Sequence, residues 1–352
     1  MNDLYLIGNG FDLAHGLKTS YNDFLLWYLN NFLGQYRNKS YPNQHEDELL
    51  KIISGDSRYT IPVFDSISEM HRILKKSSYI LKAQSDFFNK IIDSYRNYRW
   101  VDIEYEYYSA LINWYKQVEL NPQNRNTVLS VVINLNNILE LIKNKLAEYL
   151  SNITISKQNI HKLIENILTQ GTGAEGKDEG DKLYLNFNYT STLKLYTEEF
   201  YFPKHMIINI HGELKNEDNP IIFGYGDEMD PHYEKLENLN SNDFLKNIKS
   251  FSYFKTDNYQ KVIRFLENEF TVKILGHSCG LSDRILLNTI FEHPSCKAIK
   301  IFYYQKSETE NDYFEKTQEI SRHFKASSKG DMRNKIISFE RCSPLLPYKN
   351  QN

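Results

Sequence analysis

The sequence predicts an α/β fold: a parallel sheet with helices on both faces, and a large all-helical insertion after the first strand. Three observations lead there. Short, unbroken apolar runs recur at the start and through the second half of the chain. Continuous rather than alternating runs are expected of strands covered on both faces. Helical patterns lie between several of these runs, and such alternation implies parallel strands joined by helical crossovers. Finally, from Tyr21 to Gln170, Pro and Gly are scarce and apolar residues recur at the helical period.

The first strand is Leu4–Ile7, and it runs directly into Gly8-Asn9-Gly10-Phe11-Asp12. Two glycines flanking one residue permit a sharp turn that bares backbone N–H groups. A helix opening just after it makes an anion site, which nucleotide phosphates commonly fill in open α/β sheets. The third glycine of the dinucleotide fingerprint is missing, since Leu13 holds its place and Gly16 comes late. A plain glycine-containing turn remains the alternative.

In the insertion, helical patterns run through Phe24–Phe32, Leu81–Tyr95 and Asp102–Tyr115. A long stripe follows through Val128, Val131, Val132, Leu135, Ile138, Leu139, Ile142 and Leu146, and reads as core packing. Gly171–Lys182, rich in Gly and charge, reads as a surface loop. Further strands are predicted at Leu183–Phe187, Met206–Ile210, Ile221–Phe223, Val272–Leu275, Ala298–Tyr304 and Lys335–Phe339. Helices are predicted at Tyr259–Glu269, Asp283–Phe291 and Thr309–Phe324. The expected organisation is a nucleotide-binding domain over 1–20 and 181–342, the insertion over 21–170, a linker over 171–180 and a loosely packed tail over 343–352.

The 352 residues carry Lys+Arg 42 against Asp+Glu 45, a net charge of -3 that does not advertise a nucleic-acid surface. Aromatic content is 14%, and Tyr 26 with Phe 20 supply much of the core-forming area. Cys279, Cys296 and Cys342 lie far apart without CxxC spacing, so neither a disulfide framework nor a metal site is expected. No signal peptide and no apolar run of membrane-spanning length is visible, so the expected location is cytoplasmic, without membrane contact.

Four polar clusters fall at predicted strand ends: Gly8–Asp12, Asn186–Thr190, Asn209–Gly212 and Gly276–Ser278 with Asp283 nearby. Ligands of open α/β sheets bind at the carboxyl ends of strands, so a shared site is expected along that edge. Asn188 can hold a sugar hydroxyl or a water, or cap the helix expected near Thr190. His211 titrates near neutrality and can act as a base, and Gly212 would let a ligand approach the backbone. Ser278 can bind phosphate or ribose or cap a helix. His277 can line the site or simply pack. Asp283 can orient a partner or cap the helix after it. Gly224–Glu228 reads as an acidic loop over the site. Asp102 and Glu106 share a helical face and could bind Mg²⁺, although a solvated helix start accounts for them better.

Taken together, IGNGFDLAHGLKTSYNDF at Ile7–Phe24, NFNYTSTL at Asn186–Leu193, NIHGEL at Asn209–Leu214, IIFGYGDE at Ile221–Glu228 and LGHSCGLSD at Leu275–Asp283 resemble the AbiH family of phage abortive-infection proteins. That resemblance implies a defence role in which an infected cell is arrested before phage matures. A more distant resemblance, to sirtuin-like domains, implies a Rossmann-like fold that binds NAD. It places Gly8 and Gly10 at the pyrophosphate, Asn188 near the nicotinamide ribose, His211 as base, and Gly276 and Ser278 at the other ribose or phosphate. Asn9, Phe11, Asp12, Asn186, His277 and Asp283 would complete the binding surface. The chain departs from the sirtuin-like pattern twice: Asp12 stands where Ser is usual, and Thr190 where Asp is usual. The sirtuin zinc cysteines are absent, which argues against protein deacylation.

The expected activity is therefore cleavage of NAD or a related nucleotide as substrate, with no further cofactor. Alternatives are a non-catalytic nucleotide sensor and a metal-dependent nuclease using Asp12, Asp102 or Glu106. Expected partners are a small nucleotide, a phage-derived trigger and a second copy of the chain.

Overall fold

A computed structural model describes residues 1–38, 44–53, 60–98, 102–169, 180–198 and 205–348. Residues 171–179 of the expected linker, Trp100, Val101 and residues 349–352 lie outside these. The described strands are β1 (Asn2–Ile7), β2 (Gln44–Glu46), β3 (Leu50–Ile53), β4 (Ile80–Ala83), β5 (Lys182–Asn186), β6 (His205–Asn209), β7 (Phe270–Leu275), β8 (Cys296–Tyr303) and β9 (Ser343–Pro344). Among the described residues, no helix is long and apolar enough to cross a membrane.

Six strands form one sheet in the order β6-β5-β1-β7-β8-β9, all parallel. Numbered along the chain within this sheet, that order is 3-2-1-4-5-6, the arrangement of dinucleotide-binding sheets. From β1 the chain fills one side of the sheet, then returns to fill the other from β7. The crevice between the carboxyl ends of β1 and β7 is therefore the topological switch point.

The unbroken apolar runs have the expected physical basis. Leu4 and Leu6 of β1 pack on one face with Leu183, Leu185, Val272 and Ile274. Tyr5 and Ile7 pack on the other with Phe11, Tyr184, Leu275 and Phe302. Each such side chain contributes about 1.5–3 kcal/mol when fully buried.

Two predicted strands take other forms. Ile221–Phe223 joins no ladder, although Ile222 and Phe223 are buried, and the Ile222 N–H donates to His211 O at 2.8 Å. Lys335 ends the helix Lys329–Lys335, Ile336 makes only an isolated bridge to Ile299, and Phe339–Arg341 is a 3-10 turn. The sixth strand is instead β9, which also anchors the start of the expected tail: Leu345 is buried. Pro344 suits a short edge strand, where one face of the backbone needs no donor.

The chain divides into two compact units. The first comprises Met1–Lys18, Ile153–Glu234 and Asn247–Asn352 and holds the parallel sheet. Its helix Lys162–Thr169 buries Ile164 and Leu168 with Tyr5 and Tyr184. The second comprises Thr19–Asn152 and Lys235–Lys246.

The second unit holds the helices Tyr21–Asn38, Ile103–Leu120 and Arg125–Ser151, whose stripe from Val128 to Leu146 is buried except at half-buried Val131. It is not all helical: β2, β3 and β4 form a small antiparallel sheet. The helical pattern read over Leu81–Tyr95 begins in β4 and becomes helical only at Asp86. Ser85 Oγ accepts the Phe88 N–H at 3.1 Å, an N-cap that starts the helix there.

Candidate functional site

The loops after β1 and β7 interlock at the switch point. The Gly8 N–H donates to Leu275 O at 3.2 Å and the Gly10 N–H to Gly276 O at 2.8 Å. A Cβ on Gly8 would meet His277 Cα at 2.5 Å, and one on Gly10 would meet Gly276 Cα at 2.8 Å. Gly276 has φ +70°, and its Cβ would fall 2.1 Å from the Phe11 nitrogen. These glycines serve backbone-to-backbone contact. The N–H groups expected to bind phosphate are engaged inside the protein, as is that of Phe11, which donates to Gly8 O. Gly212 is similar: its φ is +86° and its Cβ would meet Pro220 O at 2.2 Å, so it admits the neighbouring backbone rather than a ligand.

A second lock joins the β1 and β5 loops. Asn188 Nδ2 donates to Gly8 O at 3.1 Å and to Asp12 Oδ1 at 3.2 Å. Thr190 Oγ1 donates to Asp12 Oδ2 at 2.5 Å. Asn188 is therefore a brace and caps no helix. Asn186 Nδ2 extends the network to Asn209 Oδ1 at 2.8 Å. Asp12 and Thr190, the two residues that depart from the sirtuin-like pattern, touch each other.

Burial pushes the Asp12 carboxyl up to about 6, against the hydrogen bonds from Thr190, Thr192 and Asn188. An acid whose pKa is raised by folding favours the native state more as it protonates. Asp12 therefore adds stability as pH falls through about 6. Buried His15 and His323 are both lowered to about 4, and each removes stability as pH falls below the ordinary histidine range. Asp12→Asn is expected to stabilise the protein by up to about 3 kcal/mol at about pH 8, and to steepen its loss of stability on acidification. Denaturant midpoints of both proteins at about pH 8 and about pH 5 test this, and equal pH profiles would refute it.

The remaining polar groups converge on Asp283. His211 Nε2 lies 3.0 Å from its Oδ1, off the line of a good hydrogen bond. Lys249 Nζ donates to the same oxygen at 2.8 Å. His277 Nε2 stands 3.6 Å from Oδ2, while its Nδ1 accepts the Cys279 N–H at 3.0 Å, which places the ring proton on Nε2. Burial alone would raise the Asp283 carboxyl. Lys249, His211 and His277 outweigh it and hold it well below the usual carboxylate range. Burial, aided by Lys249, keeps the His211 imidazole below its ordinary value. Asp283 begins the helix Arg284–Phe291 but makes no side-chain cap, because its oxygens face Lys249, His211 and His277.

Phe187 walls the cluster, its ring 5.1 Å from His211 and 4.1 Å from His277. Tyr253 stacks parallel to His211 at 6.5 Å. Gly224–Glu228 is not an open acidic loop. Asp227 is 2% exposed and receives Arg284 Nη1 at 3.0 Å, and the Gly226 N–H donates to Ser282 O at 2.9 Å.

Gly276-His277-Ser278-Cys279-Gly280 has the Gly-x-Ser-x-Gly spacing of a nucleophile elbow. The left-handed backbone falls at Gly276 and Cys279, and exposed Ser278 accepts the Gly280 N–H. Burial pushes the Cys279 thiol up to about 12, so it is no thiolate nucleophile.

Sequence reasoning also missed Lys249 and Tyr253. Their only local signal is polar groups set in the apolar stretch Ile248–Phe254. Asn9 and Ser278 are exposed at this edge, and a cleft of about 150 Å³ opens beside it, lined among others by Asn186, Tyr189, Lys194 and Glu213.

The metal alternative loses its carboxylates. Asp102 caps a helix through the Tyr105 N–H at 3.0 Å, and Glu106 accepts Ser94 Oγ and lies 3.7 Å from Lys90. Among the described residues, no group of three or more His, Cys, Asp or Glu is placed to hold a metal ion.

A parallel sheet of dinucleotide-binding order, with a buried His–Asp–Lys cluster at its carboxyl edge, defines a Rossmann-like α/β protein. The profile of the family described as "Bacteriophage abortive infection AbiH" matches residues 4–305, and the chain belongs to that family. The family carries a role in phage abortive infection. No curated protein and no solved structure matches the chain.

Proposed function

We propose that this protein carries out abortive infection by binding and cleaving NAD, or a closely related nucleotide, at the carboxyl edge of its sheet. The observation that carries the reading is the His211–Asp283 pair beside the switch point, where dinucleotide-binding sheets place their ligands.

The reaction suits these groups. His211 takes a proton from water as the water oxygen bonds to the ribose anomeric carbon. The carbon–nitrogen bond breaks, and its electron pair goes to the pyridinium nitrogen, so cationic nicotinamide leaves neutral. Asp283 stabilises the imidazolium that forms. Burial favours the neutral imidazole of His211, the form that accepts a proton. The glycine turn does not fit a pyrophosphate cradle, because its donors are engaged. Exposed Asn9 and Ser278 are better placed to meet the phosphates.

The test is NAD consumption by purified protein, with and without infected-cell lysate. His211→Ala is expected to lower it by about 10²–10⁴-fold, the usual worth of a general base. Asn188→Ala is expected to lower it by loosening the β1–β5 brace. NAD binding without consumption would favour the sensor reading, for which the burial of His211 is the supporting observation. Neither binding nor loss would sink the NAD reading.

A further inference from the structure

We propose that the segment Asn247–Lys255 is an autoinhibitory strap, whose Tyr253 ring covers His211 and whose Lys249 ammonium occupies Asp283, so that the site opens only when the segment lifts. This rests on the reading that His211 and Asp283 belong to the functional site.

The inner face of the segment closes the cluster. The rings of Tyr253 and His211 are 10° from parallel, and Tyr259 stacks behind Tyr253 at 5.8 Å. Lys249, only 1% exposed, takes the same Asp283 oxygen that His211 approaches. A carboxylate already neutralised by an ammonium at 2.8 Å is poorly able to stabilise an imidazolium, so the contact that shuts the site also disarms its base.

The segment is held by its side chains, with Ile248 1% and Tyr253 4% exposed, and not by its own secondary structure. It consists of the four-residue helix Lys249–Ser252 and the 3-10 turn Tyr253–Lys255, both too short to be stable alone. Its backbone ties are Lys249 N–H to Tyr225 O at 3.0 Å and Tyr225 N–H to Asn247 O at 3.1 Å. Lifting it is thus a local opening, below the cost of global unfolding. Its outer face carries Phe251 at 43% and Phe254 at 69% exposure. The chain enters it directly from Lys235–Lys246, which belongs to the second unit, so a change there is transmitted covalently to the strap.

The test is labelling of the full chain with diethyl pyrocarbonate, read by mass spectrometry at each histidine, in wild type, Lys249→Met and Tyr253→Ala. Buried His15 and His323 report on the integrity of the surrounding core. The expected result is His211 labelling about tenfold faster or more in both variants, with His15 and His323 unchanged. His211 staying protected in both variants overturns the strap. Parallel labelling of all three also overturns it, since that marks general loosening. Because the readout needs no substrate, selective exposure of His211 without NAD loss keeps the strap and sinks the NAD reading. NAD loss at the wild-type rate in both variants overturns the strap alone.

Discussion

Asp283→Ala is expected to cost about 3–5 kcal/mol of stability and to abolish activity. The carboxylate is surrounded by Lys249, His211 and His277, all buried. Removing it leaves the ammonium of Lys249 in a dry site with no counter-charge, which is the expensive way to break a buried pair. Replacing both partners removes that penalty, so Asp283→Leu with Lys249→Met should recover most of the stability and none of the activity. Urea denaturation of the two variants beside wild type measures this. A single variant within about 1 kcal/mol of wild type would show that the cluster adds little to the fold.

Gly276→Ala is expected to destabilise by about 2–6 kcal/mol. Roughly 1–3 comes from holding a side-chain residue in the left-handed region and a similar amount from overpacking. The position has φ +70°, and the added Cβ would stand 2.1 Å from the Phe11 nitrogen and 2.4 Å from the Gly10 carbonyl carbon. Neither is the end of a flexible side chain, so the β1 and β7 loops must part. Gly16→Ala is the matched control: its φ is +73°, yet nothing lies within 4 Å of its Cβ, so only the backbone strain remains. Thermal melts of the two variants separate the terms. Equal losses would mean that the interlocking of the loops contributes nothing.

Much of the sheet was legible in the residues themselves. Leu4–Ile7 and Leu183–Leu185 are unbroken apolar runs ending in Gly or Asn, and Val272–Leu275 is interrupted by Lys273 alone; burial on both faces of a parallel sheet demands that pattern. The same logic failed at Ile221–Phe223 and Lys335–Phe339. Apolar runs report burial, and burial in a loop under His211 or at a helix end satisfies them as well as a ladder does. It failed again at Leu81–Ala83, where a half-exposed strand of four residues is too short to show a period distinct from that of the helix after it.

At the site, Asn188, His211, His277 and Asp283 could be picked out because polar residues at strand ends are local punctuation. Their partners could not. Lys249 reaches Asp283 from 34 positions away, and Thr190 reaches Asp12 from 178. Local spacing carries the period of an element and the place where it stops, which is why fold class and site edge could be read along the chain. The crossovers that set the order β6-β5-β1-β7-β8-β9 determine which loops touch. Only those contacts turned the glycine turn from a phosphate cradle into a backbone lock, and Asp283 from a helix cap into the centre of a buried charge cluster.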